Sequence, residues 1–354
     1  MQHLIDLDDF NVDFWNGIIK LAIKIEKNPS KYYDTAKGKV MSTLFYEPST
    51  RTQMSFQTAM QLLGGRIIGF DNPSTTSVAK GESFTDTIKV VSGYSDILVI
   101  RNPLEGSAKA AAAYSECPVI NAGDGGHLHP TQTLTDLVTL SKEKGTLENM
   151  TIGLCGDLKN GRTVHSLIKA MCRFKGNKFV LISTPELAVP TYIKDYMHAN
   201  NCEFEEVSSL VEAIPKLDVL YMTRIQKERF KSEEEYLSQK DVYVLDKEKM
   251  ANAKHDMIVL HPLPRVDEIT REVDDDHRAV YFKQAQYGVY ARMALILTLL
   301  DNKKPFDLFK SKQNFVQKCT NEKCITTHET YLENYFTEQG DMLVCEYCEG
   351  RKLI

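Results

Sequence analysis

Short runs rich in β-branched and aliphatic residues alternate along this chain with segments whose apolar positions recur at helical spacing. "KVMSTLFY" (39–46) leads into a helix predicted over 51–63, where Phe56, Met60 and Leu63 stand at i, i+4 and i+7 and Gly64-Gly65 supplies the stop. "GRIIGF" follows, then a helical "SFTDTIKVVSGY", a strand-like "SDILVIRNP", an alanine-rich helix at 107–114, and "CPVINAGDG". Later come "TIGLCGD", "KFVLISTP", "DVLYMTRI" and "MIVLHPLPR", each separated by a helical or irregular segment. Strands spaced by helices need crossover connections, which predicts parallel sheets and an α/β fold. Seven or more strands divide more naturally between two open sheets than into one.

Two long helical patterns organise the chain. "HPTQTLTDLVTLSKEKG" (129–145) reads as a connecting helix, and "QYGVYARMALILTLLDN" (286–302) as a helix returning to the first domain. The expected domains are therefore 1–130, completed by 286–302, then 131–285, and a small appendage at 303–354. A linker, "DNKKPFDLF", precedes the appendage, and Pro305 forbids simple helix continuation there. Acidic runs at 233–235 and 274–276 read as solvated surface.

Composition narrows the class. Of 354 residues, 42% are hydrophobic and 26% charged, as in an ordinary globular protein. A net charge of −5 argues against a generic nucleic-acid or membrane-surface binder while permitting local basic pockets. No apolar run approaches a membrane span, and "MQHLIDLDDF" lacks a basic region followed by an apolar stretch, so a cytoplasmic enzyme is expected.

In open α/β sheets, ligands bind beyond the carboxyl ends of the strands. The polar residues at those ends here are Ser49–Thr52, Arg101, His129, Arg162, Arg224 and the Leu263-Pro264 segment. Five of these six places carry a cation or a potential one, which implies a small, multiply anionic ligand. Ser49, Thr50, Arg51 and Thr52 open a helix, where unpaired N–H groups, hydroxyls and a guanidinium can wrap a phosphate. Alone, S-T-R-T is as readily a helix cap with solvated hydroxyls, and Arg101 a surface ion-pair partner. His129 abuts Pro130 and precedes Gln132 by three residues, so the two share a helix-entry face, whereas His127 reads as a structural hydrogen-bonder. "GDLKNGRT" (156–163) mimics a P-loop but has Arg162 at the lysine position, which suits bidentate carboxylate binding better.

"FYEPSTRT", "SVAKGES", "RNP", "GDGGHLHPTQTLTDL", "GDLKNGRTVHSL", "LYMTRIQKERF" and "HPLPRVDEI", in this order, resemble the aspartate carbamoyltransferase family over about residues 1–305. The resemblance implies two α/β domains and a trimer, or a dimer of trimers, with active sites at subunit boundaries. It also implies transfer of the carbamoyl group from carbamoyl phosphate to L-aspartate, an early step of pyrimidine synthesis. Carried over by position, Ser49, Thr50, Arg51 and Thr52 resemble the family's phosphate loop, joined by Arg101 and Gln132. Thr52, Arg101 and His129 would polarise the carbamoyl carbonyl, and Leu263 and Pro264 would offer backbone carbonyls to the carbamoyl nitrogen. Arg162, Arg224 and Gln226 are similar to the aspartate-binding residues, and Ser77 and Lys80 to the loop from a neighbouring subunit, where Lys80 also contacts aspartate. Gln53 departs from the family, which often has a second arginine there. An ornithine carbamoyltransferase would share the phosphate half, but its site features a cysteine in an H-C-L-P segment that here reads His261-Pro262-Leu263-Pro264.

Four cysteines fall at the chain's end: Cys319-x4-Cys324, a 20-residue spacer, then Cys345-x2-Cys348. Two such knuckles supply the four thiolates of a structural zinc site, with a disulfide pair as the alternative and His328 a redundant ligand. So short a segment has too little core to fold alone, so Zn2+ would supply its folding energy. "CTNEKCITTHE" and "CEYCE" resemble the zinc domain of the family's regulatory chain, here fused directly behind the catalytic body with no room for a nucleotide-binding domain. A docking and stabilising role is expected. A zinc-ribbon nucleic-acid module is the rival, but residues 303–354 hold eight Lys/Arg against eight Asp/Glu, without the positive excess that phosphate binding uses.

Overall fold

The computed structural model of the chain describes residues 2–225, 232–234, 243–302, 307–311 and 315–353. They form two compact units, one of Met1–Thr131 with Val289–Ile354 and the other of Gln132–Gly288.

The first unit is built on a parallel sheet of β1 (Val40–Phe45), β2 (Arg66–Phe70), β3 (Ile97–Asn102) and β4 (Val119–Asp124), in the order β2-β1-β3-β4. β1 and β4 are buried almost throughout, as strands covered on both faces must be. α1 (Val12–Lys27) is not among the predicted elements, yet it buries Trp15, Ile18, Ile19, Ala22 and Ile25 at helical spacing, with the Asn11 side chain accepting from Phe14 N at 2.9 Å. α2 (Thr50–Leu62) follows β1 and buries Phe56, Ala59 and Met60. It stops where foreseen: Gly64 has φ +78, and a Cβ there would lie 2.7 Å from the Asp34 backbone. α3 (Phe84–Gly93) and α4 (Ser107–Tyr114) complete the crossovers, and α5 (Pro130–Lys144) begins at the end of this unit.

The second unit carries β5 (Thr151–Cys155), β6 (Lys178–Ile182), β7 (Glu203–Val207), β8 (Val219–Met222) and β9 (Ile258–Leu260), all parallel and ordered β7-β6-β5-β8-β9. Its helices include α6 (Arg162–Met171), α7 (Thr191–Ala199), α8 (Leu210–Ala213) and α9 (Lys247–Ala251). β7 reads Glu-Phe-Glu-Glu-Val and also lies outside the predicted set. It is an edge strand, paired to β6 alone, with its three glutamates exposed. The acidic run 274–276 is not idle surface, since Asp274 pairs with Arg265 and Tyr281, and Asp276 with Arg278 at 2.7 Å. The long apolar helix α10 (Tyr281–Asp301) starts five residues before the predicted 286. No helix among the described residues is long and apolar enough to cross a membrane.

The four-cysteine segment belongs to the first unit. It comprises α11 (Ile325–His328) and an antiparallel sheet of β10 (Phe336–Gln339), β11 (Met342–Cys345) and β12 (Arg351–Leu353). Ile325, Leu332, Phe336 and Leu343 share one core with Phe84, Ile88, Ala108, Ala111 and Ala112. Two backbone hydrogen bonds fasten the edge of that core: Glu105 N to Lys323 O at 2.8 Å and Ile325 N to Glu105 O at 2.9 Å.

Candidate active site

Strand order decides where a ligand can sit. In the first unit the chain runs outward from β1 to β2 and returns on the other side to β3, so a crevice opens beyond the ends of β1 and β3. Phe45, the last residue of β1, is in register with Arg101 near the end of β3. The loop after β1 delivers Ser49–Thr52 to this crevice. Ser49 occupies the N-cap position of α2 but makes no side-chain capping bond, so its hydroxyl is not spent on the helix's first-turn amides. Thr50 begins the helix, Arg51 is exposed and Thr52 is buried.

Two guanidinium groups meet here. Partial desolvation of its exposed side chain, and then repulsion from Arg101, hold Arg51 below the ordinary arginine range. Burial lowers Arg101 as well, against the opposing pull of Glu47. Arg101 is clamped by an ion pair to Glu47 at 2.7 Å and by donation from its Nη1 to Ala122 O at 3.2 Å. Its Nε is buried with no hydrogen-bond partner among the described residues. Two neighbouring guanidinium groups beside a helix N-terminus are an arrangement that an oxyanion completes. Glu47 is missing from the sequence-predicted set; its position inside "FYEPSTRT", beside a strand-end arginine, is the signal that could have found it. His129 is buried just before Pro130, with Thr131 Oγ1 3.4 Å from its Nδ1. Ser77 and Lys80 lie in a short helical turn of the same unit, and both are exposed.

In the second unit the strand order reverses between β5 and β8, again opening a crevice at their ends. Arg162 is the first residue of α6, and Arg224 follows β8 by two residues; both are half-buried. The two strand exits run very close. Gly156 has φ +117, and a Cβ there would stand 2.3 Å from the Thr223 carbonyl oxygen. Gly156, the first of the two glycines in "GDLKNGRT", thus serves backbone approach rather than a P-loop. Gln226 lies outside the described residues.

Gln132 and the Leu263-Pro264 segment, which sequence alone does not connect, are tied together by a buried polar chain. Gln132 Nε2 and Gln284 Nε2 both donate to Asp136 Oδ1, at 2.8 and 2.7 Å, and Tyr221 OH donates to Oδ2 at 3.1 Å. Gln284 Oε1 accepts from His261 N at 3.0 Å, and His261 Nδ1 accepts from Leu263 N at 2.8 Å. The ring proton of His261 is therefore on Nε2, which donates to Glu268 at 2.7 Å. Burial raises Glu268, but the His261 bond and the Val266 amide outweigh it and keep its carboxyl below the usual range. Leu263 has φ +52, in the left-handed region where non-glycine residues are uncommon, and its peptide to Pro264 is cis. Asp136, Gln284, His261 and Glu268 are all additions to the predicted site; a fully buried aspartate inside the apolar run "TLTDLVTL" is the readable signal among them.

Cys319, Cys324, Cys345 and Cys348 converge, buried, with all sulfurs within 4.8 Å of one another and none in a disulfide. Cys319 and Cys348 sulfurs are 3.6 Å apart, and those of Cys324 and Cys345 are 3.9 Å apart. A tetrahedral ion with metal–sulfur bonds of about 2.3 Å sets sulfur–sulfur distances of about 3.8 Å. The four thiols fit a metal. His328 is exposed, its Nε2 2.8 Å from Glu322 O, and it is not part of the cluster.

Three family models match successive parts of the chain. Residues 2–143 match the aspartate/ornithine carbamoyltransferase carbamoyl-P binding domain, 148–299 the Asp/Orn binding domain of the same family, and 313–352 the metal binding domain of the aspartate carbamoyltransferase regulatory chain. The aspartate carbamoyltransferase catalytic subunit of Clostridium novyi is 58% identical over 299 residues, covering 84% of this chain and 98% of that protein. Its counterpart from Clostridium botulinum is 62% identical over 300 residues with the same coverage. Among solved structures, the catalytic subunit of M. jannaschii aspartate transcarbamoylase superposes with a TM-score of 0.81 at 45% identity, over 86% of this chain and 99% of that one. The Trypanosoma cruzi enzyme in complex with carbamoyl phosphate and aspartate gives 0.79 at 36% identity, over 84% and 96%.

Proposed function

The chain belongs to the aspartate carbamoyltransferases and carries their regulatory chain's metal-binding domain in the same polypeptide; from that premise we propose which of its residues bind the two substrates and perform the transfer. Carbamoyl phosphate is held by Ser49, Thr50, Arg51, Thr52, Arg101 and Gln132, and L-aspartate by Arg162, Arg224, Gln226 and Lys80. The observation that carries this reading is the juxtaposition of Arg51 and Arg101 at one strand-order reversal, with Arg162 and Arg224 at the other. Two arginine-bearing crevices suit two anions, and Arg224 would repel the ammonium of an ornithine side chain.

The aspartate amine attacks the carbamoyl carbon, the C–N bond forms, and charge gathers on the carbonyl oxygen. Thr52, Arg101 and His129 face that oxygen and stabilise it, each donor contributing about 3–4 kcal/mol to lowering the barrier. The C–O bond to phosphate then breaks, and phosphate leaves with the electron pair and takes the amine proton. No strong protein base is needed. Two mutually repelling anions gain most from being held in attack geometry, which the arginines supply. Leu263 and Pro264 offer backbone carbonyls to the carbamoyl NH2; the tie of Leu263 to His261 supports that orientation.

Three further assignments complete the reading. Ser77 and Lys80, exposed on their own unit, reach a neighbouring subunit's site in a trimer or a pair of trimers. The metal is zinc, for which four thiolates are a common structural set. The enzyme works in the cytoplasm, in pyrimidine synthesis. Replacing Arg51 by alanine tests the phosphate cradle: affinity for carbamoyl phosphate falls about 30- to 100-fold, from the loss of a charge-assisted bond of ~2–3 kcal/mol, while the far-ultraviolet spectrum is unchanged. Unaltered affinity would show that the cradle lies elsewhere.

A further inference from the structure

The turn that leads to His129 is fastened to the metal-binding segment through a half-buried histidine. His127 places Nδ1 3.1 Å from Asp124 Oδ2 and Nε2 3.6 Å from Glu349 Oε2. The second distance exceeds a hydrogen bond, so that link is an ion pair. Burial works against charge on this ring, but Asp124 and then Glu349 outweigh it and hold its pKa well above the ordinary histidine value. The backbone of Glu349 is fixed, with φ +58 and its N–H donating to Cys345 O at 2.9 Å in the turn that follows Cys348, while its side chain is half exposed.

Asp124 is the hub on the other side, 1% exposed and at the end of β4. Its Oδ1 accepts from Leu128 N at 3.0 Å and Asn121 Nδ2 at 3.2 Å, and its Oδ2 from Gly106 N at 2.9 Å. Asp124 N donates back to Leu128 O at 3.3 Å. One carboxylate thus sets both the turn entering His129 and the start of α4, against which the metal-binding segment packs. His127 links the Glu349 carboxylate of the segment to that of Asp124.

We propose that His127 is a positioning residue, pinned between Asp124 and Glu349, through which the folded metal-binding segment sets the Leu128–His129 turn and so raises the rate of carbamoyl transfer. This rests on the assignment of His129 to the carbamoyl carbonyl. The test compares the full chain with Glu349→Gln, Glu349→Asp, His127→Asn and the double variant Glu349→Gln/His127→Asn, reading kcat, both KM values and bound metal. Glu349→Gln is expected to keep its full metal content and its aspartate KM while kcat falls about three- to tenfold, with Glu349→Asp recovering most of the loss. The double variant is expected to be no slower than His127→Asn alone, because both changes cut the same link. Glu349→Gln at full metal content with the parent kcat would overturn the proposal, as would independent, multiplying effects in the double variant. Absence of carbamoyl aspartate from the unmodified chain would instead overturn the functional assignment beneath it.

Discussion

Replacing Gly106 with alanine tests whether the metal-binding segment and α4 are fitted to each other. Gly106 is the N-cap of α4 at φ +80, and a Cβ there would lie 2.6 Å from Tyr347 Cβ and 2.7 Å from its carbonyl carbon and oxygen. Backbone atoms cannot rotate out of the way, and Tyr347 is buried against Phe309. The segment would have to retreat by about 0.8 Å to reach ordinary contact. That retreat stretches the two adjacent hydrogen bonds, Glu105 N to Lys323 O and Ile325 N to Glu105 O. Losing both costs about 2 kcal/mol, and the left-handed conformation adds ~1 kcal/mol for a residue with a Cβ. Gly38 separates these contributions, since it has φ +82 but nothing within 4 Å of its Cβ position. Gly38→Ala therefore carries only the conformational cost. Hydrogen exchange at the Ile325 amide is the assay: relative to Gly38→Ala, Gly106→Ala should open about 30-fold more often. Equal protection of Ile325 in the two variants would refute the fit.

Two further outcomes follow from local chemistry. Arg162→Ala should raise the aspartate KM about 30- to 100-fold, the loss of a bidentate pair, and leave carbamoyl phosphate affinity unchanged; a parallel loss of both would place Arg162 outside the aspartate site. His3 accepts from Val119 N at 3.2 Å through Nδ1, and burial, helped by the N-terminal charge, pushes its pKa down to about 4. It is uncharged in both folded and unfolded chains at neutral pH; as pH falls below 6.5 the unfolded chain takes up the proton first, so stability drops by up to ~3 kcal/mol and levels off near pH 4. In His3→Gln, urea midpoints between pH 7 and 4 should flatten, and an unchanged slope would exclude His3 as the cause.

Much of this molecule is legible from its residues, for reasons that also explain the gaps. Parallel strands covered on both faces must be apolar, so "SDILVIRNP" and "TIGLCGD" announce themselves, whereas β7, an edge strand with glutamates toward water, looks like a helix surface or a loop. Strand-end cations can be read because ligand position follows sheet topology. Glu47 and Asp136 leave a local trace in the sequence, but Gln284, His261 and Glu268 do not, because the chain they form is joined to Asp136 across 148 residues. The cysteine spacing reveals a metal site, but its seat on Ala108, Ala111 and Ala112 is hidden, since those alanines are equally what a helix facing its own sheet would show.

Steady-state product formation by the purified full chain, with carbamoyl phosphate and either L-aspartate or L-ornithine, decides the assigned activity. Carbamoyl aspartate and phosphate are expected one for one with aspartate, and no carbamoylated product with ornithine. Turnover of ornithine without turnover of aspartate would contradict the assignment.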